Sequence, residues 1–317
     1  ALEGGVGALL VASGQAAETL AIINIAEAGD HIVAAAPLYG GTFNLIKRTL
    51  PRYGIEATFV EDVNDVQAWR DAVQPNTKLF FAETISNPRS AVLDVRAVAD
   101  AAHEAGVPLV VDNTIATPWV LRPIEHGADV VVHSATKYLG GHGTSIAGVI
   151  VDAGTFDYTT DPERFPSYNT PDESYHGLRY GPDLGVGSAF GANLSFILKA
   201  RVQLLRDLGP AASPFNAFLI SQGLETLSLR VERHLENTQK VAAFLEGAIR
   251  FDRIHAVNES TLERLAPPAG AADSVEGLLE LDAAARRVDR GPAGAPTPPG
   301  RRSVRGSPRS AGTGRSG

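Results

Sequence analysis

The 317-residue chain contains no cysteine and no methionine. The first absence removes disulfides, thiolate zinc sites and cysteine nucleophiles. The second means that the sequence does not begin at a natural start codon. Ala1-Leu2-Glu3-Gly4-Gly5 reads as the interior of a domain, so a segment upstream is expected to be missing. Cationic excess is lacking too: 28 Lys and Arg against 36 Asp and Glu leave a net charge of -8. A general nucleic-acid binder needs a basic surface to meet phosphates, and this chain does not supply one. No apolar run is long enough to span a bilayer, and no charged start precedes an apolar leader. A cytoplasmic setting without nucleic-acid or membrane partners is the default expectation. Gly-x-Ser-x-Gly and His-Glu-x-x-His are also absent, which removes the hydrolase elbow and the zinc helix, and no metal site is expected.

What remains is ordinary for a globular protein: 44% hydrophobic and 20% charged residues, in a chain long enough to bury a sizeable core. From Ser13 to about Asp152, helical and strand periods alternate. Ser13 can cap a helix to Ile25 that Gly29 closes. Further helices are expected over 41–50, 66–73 and 94–105, the last stopped by Gly106. Apolar strands are expected over 31–36, 55–60, 78–83, 108–112 and 129–133. Strands separated by helices at this spacing imply an α/β fold, a mostly parallel sheet covered on both faces. Ligands of such sheets sit outside the carboxyl ends of the strands. Glu83, Asn87, Asp112, Ser134, Thr136 and Lys137 all fall there. A helix over 190–208 and a long one over 224–245 follow. Gly291 to Gly317 holds five Arg, seven Gly and five Pro with no acidic residue, a composition that cannot offset its conformational entropy and reads as disordered.

Five short segments carry chemistry, each with a plainer reading beside it. In Ser134-Ala135-Thr136-Lys137-Tyr138, two hydroxyls can hold a phosphate and the lysine can condense with an aldehyde; a lysine after a strand is also commonly a solvated charge. In Val110-Val111-Asp112-Asn113-Thr114, an acid ends a continuous apolar strand. Burial there is costly unless a cation faces it, and a protonated pyridine nitrogen would do so; Asp112 can equally cap a loop. In Ala12-Ser13-Gly14-Gln15-Ala16-Ala17, a helix start offers free N–H groups to an anion, or Gly14 serves capping alone. In Pro37-Leu38-Tyr39-Gly40-Gly41-Thr42, Tyr39 can stack on a flat ring or half-bury in a turn. In Glu83-Thr84-Ile85-Ser86-Asn87-Pro88, Asn87 can donate to a phenolic oxygen or simply mark a turn.

The order and spacing of these five segments resemble the Cys/Met-metabolism pyridoxal-phosphate (PLP) enzymes of aspartate-aminotransferase fold (fold type I). The resemblance runs from about Glu3 to Gly247. It implies a seven-stranded-type sheet and PLP as cofactor, with Lys137 as the Schiff-base lysine and Asp112 as partner of the pyridine nitrogen. It further implies that Gly14, Gln15, Ser134 and Thr136 hold the phosphate. Tyr39 would stack on the ring and act as a second acid–base group, and Asn87 would contact the phenolic oxygen.

Pro171-Asp172-Glu173-Ser174-Tyr175-His176-Gly177, Arg201 to Gly209, and Ser213-Pro214-Phe215-Asn216-Ala217-Phe218 running on to Gln222-Gly223-Leu224-Glu225-Thr226-Leu227 look like the O-acetylhomoserine sulfhydrylase branch. That branch implies replacement of acetate by sulfide on O-acetylhomoserine, with an amino-acid substrate, sulfide and a dimeric or tetrameric homo-oligomer. Cystathionine γ-synthase or γ-lyase activity is the alternative within the family, and a non-catalytic PLP-binding chain the alternative outside it. His176 is either a site residue or a structural hydrogen-bonder. The expected layout is a PLP-binding large domain over 1–210, a long helix region over 211–247 and an atypical tail over 248–317. Family members also carry an N-terminal Tyr and Arg that reach a neighbouring subunit's phosphate, and a C-terminal arginine for the substrate carboxylate. Neither context is found, and none of Arg250, Arg253 and Arg264 sits in a matching motif.

Overall fold

Short apolar runs form strands where both of their faces are covered, and this chain has several. The computed structural model describes residues 1–248. Its strands are β1 (Gly7–Val11), β2 (His31–Ala35), β3 (Glu56–Val60), β4 (Thr77–Glu83), β5 (Leu109–Asp112), β6 (Val130–Ser134) and β7 (Gly148–Asp152). They form one seven-stranded sheet in the order β1-β7-β6-β5-β4-β2-β3. β3, β2, β4, β5 and β6 run parallel to one another, while β7 runs antiparallel to both β6 and β1. Every residue of β2, β4 and β5 is buried, so layers cover both faces of the central strands.

The covering helices begin where polar caps stand. Ser13 accepts from the Ala16 N–H to start α1 (Gly14–Ile23), which packs over β6 and β7. After α2 (Gly40–Asn44), the chain tightens through a π turn over Leu45–Thr49 and a 3-10 turn over Leu50–Tyr53. Asp65 caps α3 (Val66–Asp71) and Asp94 caps α4 (Val95–Glu104). α4 turns Val95, Val98, Ala99, Ala101 and Ala102 inward, a one-sided apolar stripe at helical spacing.

The mostly parallel α/β sheet is as the sequence implies, with three differences. β1 and β7, absent from the expectation, extend the sheet beyond β6. The helix expected over 190–208 starts at Ser195 and contains a π turn over Ala200–Leu205; Gly191, at φ +70°, holds the preceding backbone out of helix. The helix expected over 224–245 is two helices, Pro214–Glu225 and Leu227–Ala248, broken at Thr226. The chain divides into compact units at Ala1–Glu236 and Asn237–Gly317. The expected tail past Ala248, with Arg250, Arg253 and Arg264, lies outside the described residues. Among those residues no helix is long and apolar enough to cross a membrane.

One charge is buried in the fold away from the strand ends. Lys199 is 3% exposed; its Nζ donates to Asn24 O at 3.0 Å and lies 5.0 Å from the centre of the Tyr168 ring. No carboxylate pairs with it among the described residues, and desolvation pushes its ammonium down to about 8. The folded value lies below the reference value of 10.5, so stability rises as pH climbs from about 8 towards 10.5, and the penalty is complete below that window. Lys199→Met is therefore expected to raise Tm at neutral pH by a few degrees, the shift that ~1 kcal/mol produces in a chain of this size. In calorimetry that gain should shrink through the same window. A lower Tm for the variant would show that the bond to Asn24 outweighs the desolvation.

Candidate functional site

Parallel registry sets which side chains meet at the sheet edge. Asp112 at the end of β5 pairs with Glu83 on β4 and with Val132 on β6. Ser134, which ends β6, and the residues that follow it to Lys137 are thereby brought beside Asp112. A cavity of about 630 Å³ opens at this edge. Gly14, Gln15, Tyr39, Asn87, Asp112, Ser134, Thr136 and Lys137 all line it, so the eight residues expected from the sequence come together. His176 does not line it; it ends the short turn Glu173–Tyr175 in a left-handed conformation, exposed.

One end of the cavity suits an anion. The first-turn N–H groups of Gly14 and Gln15 have no intrahelical acceptor, and the helix dipole adds positive potential there. A Cβ on Gly14 would stand 2.7 Å from Ser134 Cβ and 2.9 Å from its Cα. Only glycine lets the start of α1 close on the end of β6. The Thr136 hydroxyl donates to Ala147 O and accepts from Ala147 N, both at 3.2 Å, so it already has protein partners.

Carboxyl groups line the same cavity. Asp112 Oδ1 accepts from Thr114 N at 2.8 Å and from Thr114 Oγ1 at 2.5 Å. Thr114 Oγ1 in turn accepts the Ser134 N–H at 2.8 Å, tying the ends of β5 and β6 together. Glu83 accepts the Tyr39 N–H on one oxygen at 2.5 Å and the Asn87 N–H on the other at 3.0 Å. It thus braces both loops that carry an expected ring contact. Burial pushes Glu83 up to about 7. Glu18, 3% exposed, accepts from Gln15 Nε2 and Thr42 Oγ1, both at 2.8 Å. Burial, and after it the neighbouring Asp112, push Glu18 up to about 9.

Among the described residues none of these three carboxyl groups has a cationic side chain in salt-bridge range. A cavity that joins an anion cradle to carboxyl groups without a cationic partner among the described residues fits PLP, whose phosphate is anionic and whose ring nitrogen carries a proton. Lys137 lines the same cavity, exposed and without an ion pair among the described residues. Among those residues no cluster is arranged to hold a metal ion.

Sequence reasoning missed Glu18, Arg230 and the role of Thr114. Thr114 carried a signal, since Asp followed two residues later by Thr is a local turn pattern. Glu18 reads as one polar residue on a capped helix, and its partner Thr42 is distant in the chain.

Residues 1–265 match the family described as Cys/Met metabolism PLP-dependent enzymes. The chain is 55% identical over 262 residues to O-acetyl-L-homoserine sulfhydrylase of Leptospira meyeri, covering 82% of this chain and 59% of that protein. It is 52% identical over 257 residues to the protein of the same name from Corynebacterium glutamicum, covering 80% and 57%. A solved structure of a putative O-acetylhomoserine (thiol)-lyase from Campylobacter jejuni, with N'-pyridoxyl-lysine-5'-monophosphate in its chain, matches with a TM-score of 0.71. Identity to it is 39%, over 77% of this chain and 59% of that one. The chain thus spans less than two thirds of these relatives' lengths.

The Glu18 geometry has a measurable consequence. Its folded value of about 9 lies above the reference value of 4.5, so the folded chain holds a proton that the unfolded chain releases. Stability on this account falls as pH rises from 4.5 to about 9. Glu18→Gln keeps the shape and stays neutral. In thermal unfolding of the PLP-free chain its Tm is expected to exceed that of the wild type, by a margin that widens with pH across that window. A margin flat with pH would show that Glu18 is ionised in the folded chain.

Proposed function

We propose that this chain, which belongs to the Cys/Met metabolism PLP-dependent enzyme family, holds PLP at the ends of β4, β5 and β6 and serves γ-replacement on O-acetylhomoserine. In that reaction sulfide takes the place of the γ-acetoxy group, giving homocysteine and acetate. The observation that carries the reading is the single cavity in which Lys137, Asp112 and the start of α1 meet.

PLP, when bound, supplies an electrophilic aldehyde and a ring that takes up electron density from the substrate's α-carbon. The protein's part is to orient and to move protons. The N–H groups of Gly14 and Gln15, with Ser134, fix the phosphate end, and Thr136 joins them by turning its hydroxyl proton away from Ala147 O. Asp112, held by Thr114, keeps the proton on the ring nitrogen. Lys137 Nζ removes the α-proton and later returns it. Tyr39, braced through Glu83, stacks on the ring and offers its phenol as a second proton carrier. Asn87, fixed by the same carboxyl group, donates to the phenolic oxygen.

Sulfide rather than cysteine as nucleophile is supported by the names of the relatives. A homodimer or homotetramer working in the cytoplasm belongs to the same proposal, and the exposed Trp119, Val120, Phe215 and Phe218 offer apolar surface for self-association.

The test is homocysteine formation from O-acetylhomoserine and sulfide by the PLP-loaded chain, run beside the same assay with cysteine in place of sulfide. Lys137→Ala is expected to lower turnover about a thousandfold or more while leaving the circular dichroism spectrum unchanged. Appreciable turnover in that variant would remove Lys137 from the reaction, and faster product formation with cysteine would move the chain to the cystathionine-forming branch.

A further inference from the structure

Lys137 stands on a turn, not on a strand, and among the described residues its side chain has no ion pair to steady it. The turn Lys137-Tyr138-Leu139-Gly140-Gly141 closes on itself through Gly140 N to Ala135 O at 2.8 Å and Gly141 N to Lys137 O at 2.7 Å. These bonds leave the carbonyl oxygens of Tyr138 and Leu139 for other donors. Both accept from one residue, Arg230, on the helix Leu227–Ala248.

Arg230 Nη1 donates to Tyr138 O at 2.8 Å and Nη2 to Leu139 O at 3.4 Å. Nη2 also donates to Gly223 O at 2.7 Å, and Nε to Thr226 Oγ1 at 3.1 Å. A guanidinium has five N–H donors in a fixed plane, so four contacts leave one free. A two-bond grip on a carboxylate needs two. No carboxylate pairs with Arg230 among the described residues, although it lines the cavity. Its role is therefore not that of a substrate clamp.

The surroundings are built for this contact. A Cβ on Gly141 would lie 2.3 Å from Arg230 Nη1 and 2.4 Å from Cζ. A Cβ on Gly223 would lie 2.2 Å from Gly140 O and 2.7 Å from Leu139 O. Two glycines thus let the turn and the helix break at Thr226 meet backbone to backbone, with the guanidinium between them. The Tyr138 ring packs edge-on against His234, with centroids 5.6 Å apart.

We infer that Arg230 is a positioning residue: it aims Lys137 into the cavity by gripping the carbonyl groups of the two residues that follow it. The inference rests on the PLP reading above. A grip of this kind depends on the flat fork, which a lysine ammonium cannot reproduce.

The test compares wild type, Arg230→Gln and Arg230→Lys in three measurements: PLP dissociation constant, pH midpoint of the visible band that PLP forms with the chain, and Tm of the PLP-free chain. Arg230→Gln is expected to weaken PLP about tenfold, the effect of losing charge-assisted bonds, and to move the pH midpoint. Arg230→Lys is expected to fall between the two. A glutamine variant with lower Tm but unchanged dissociation constant and midpoint would make Arg230 a structural residue only, and overturn the inference. A lysine variant equal to wild type would show that charge alone suffices, and would overturn the grip. Should the glutamine variant fail to fold, Thr226→Val removes a single acceptor of the same guanidinium; it should move the midpoint less and in the direction of Arg230→Lys, and no movement overturns the inference. A wild type that forms no visible band at all would sink the PLP reading and this inference together. A wild-type band that Arg230→Gln leaves unaltered sinks this inference alone.

Discussion

A carboxylate at the end of a fully buried strand cannot stand without compensation, and the site is organised around that constraint. β5 is buried at every position and ends in Asp112. Thr114 supplies two donors to one of the Asp112 oxygens and then accepts from Ser134, so Asp112 and the start of the lysine-bearing turn are held by the same hydroxyl. Asn113, just past β5, and His133, just before Ser134, are pinned as well. Glu3 Oε1 accepts from Asn113 Nδ2 at 2.9 Å and meets His133 Nε2 at 2.7 Å, both deep in the protein. The ends of β5 and β6 are thus stitched by two separate polar contacts, and the distance between Asp112 and Ser134 is set by the sheet itself. What these contacts do not provide is a positive charge. A ring nitrogen that carries a proton would supply it, and the phosphate of the same molecule would meet the N–H groups of α1.

The surrounding carboxyl groups follow from the same electrostatics. Two more acids in one partly closed space cannot all ionise cheaply, and burial moves Glu18 and Glu83 upward in consequence. Each also has a mechanical task. Glu83 fixes the backbone of Tyr39 and of Asn87, and Glu18 gathers Gln15 and Thr42. Loops that carry binding groups are in this way tied to the rigid sheet and to α1, which limits the freedom they would lose on meeting a ligand.

Much of this was legible in the sequence because parallel strands read as short apolar runs and their carboxyl ends mark where ligands sit. Asp112, Asn87 and Lys137 could be found for that reason, while Gly14 was read from a capped helix start and Tyr39 from a glycine-rich loop between strand and helix. β1 and β7 were not, since they contribute through antiparallel pairing of segments far apart in the chain. The break at Thr226 was hidden because Leu224 to Leu245 keeps a helical period across it. Arg230 gave no signal at all: its partners Tyr138 and Leu139 lie some ninety positions away, and nothing local distinguishes it from the other charges of its helix.

The central claim is that Lys137, alone among the five lysines of the chain, is delivered to PLP by the fold. Borohydride reduction of the chain mixed with PLP, followed by peptide mass mapping, tests it most directly. The account predicts one pyridoxyl label per chain, on the peptide that contains Lys137. A label shared among Lys47, Lys78, Lys199 and Lys240, or one that leaves Lys137 unmodified in a folded sample, would contradict it.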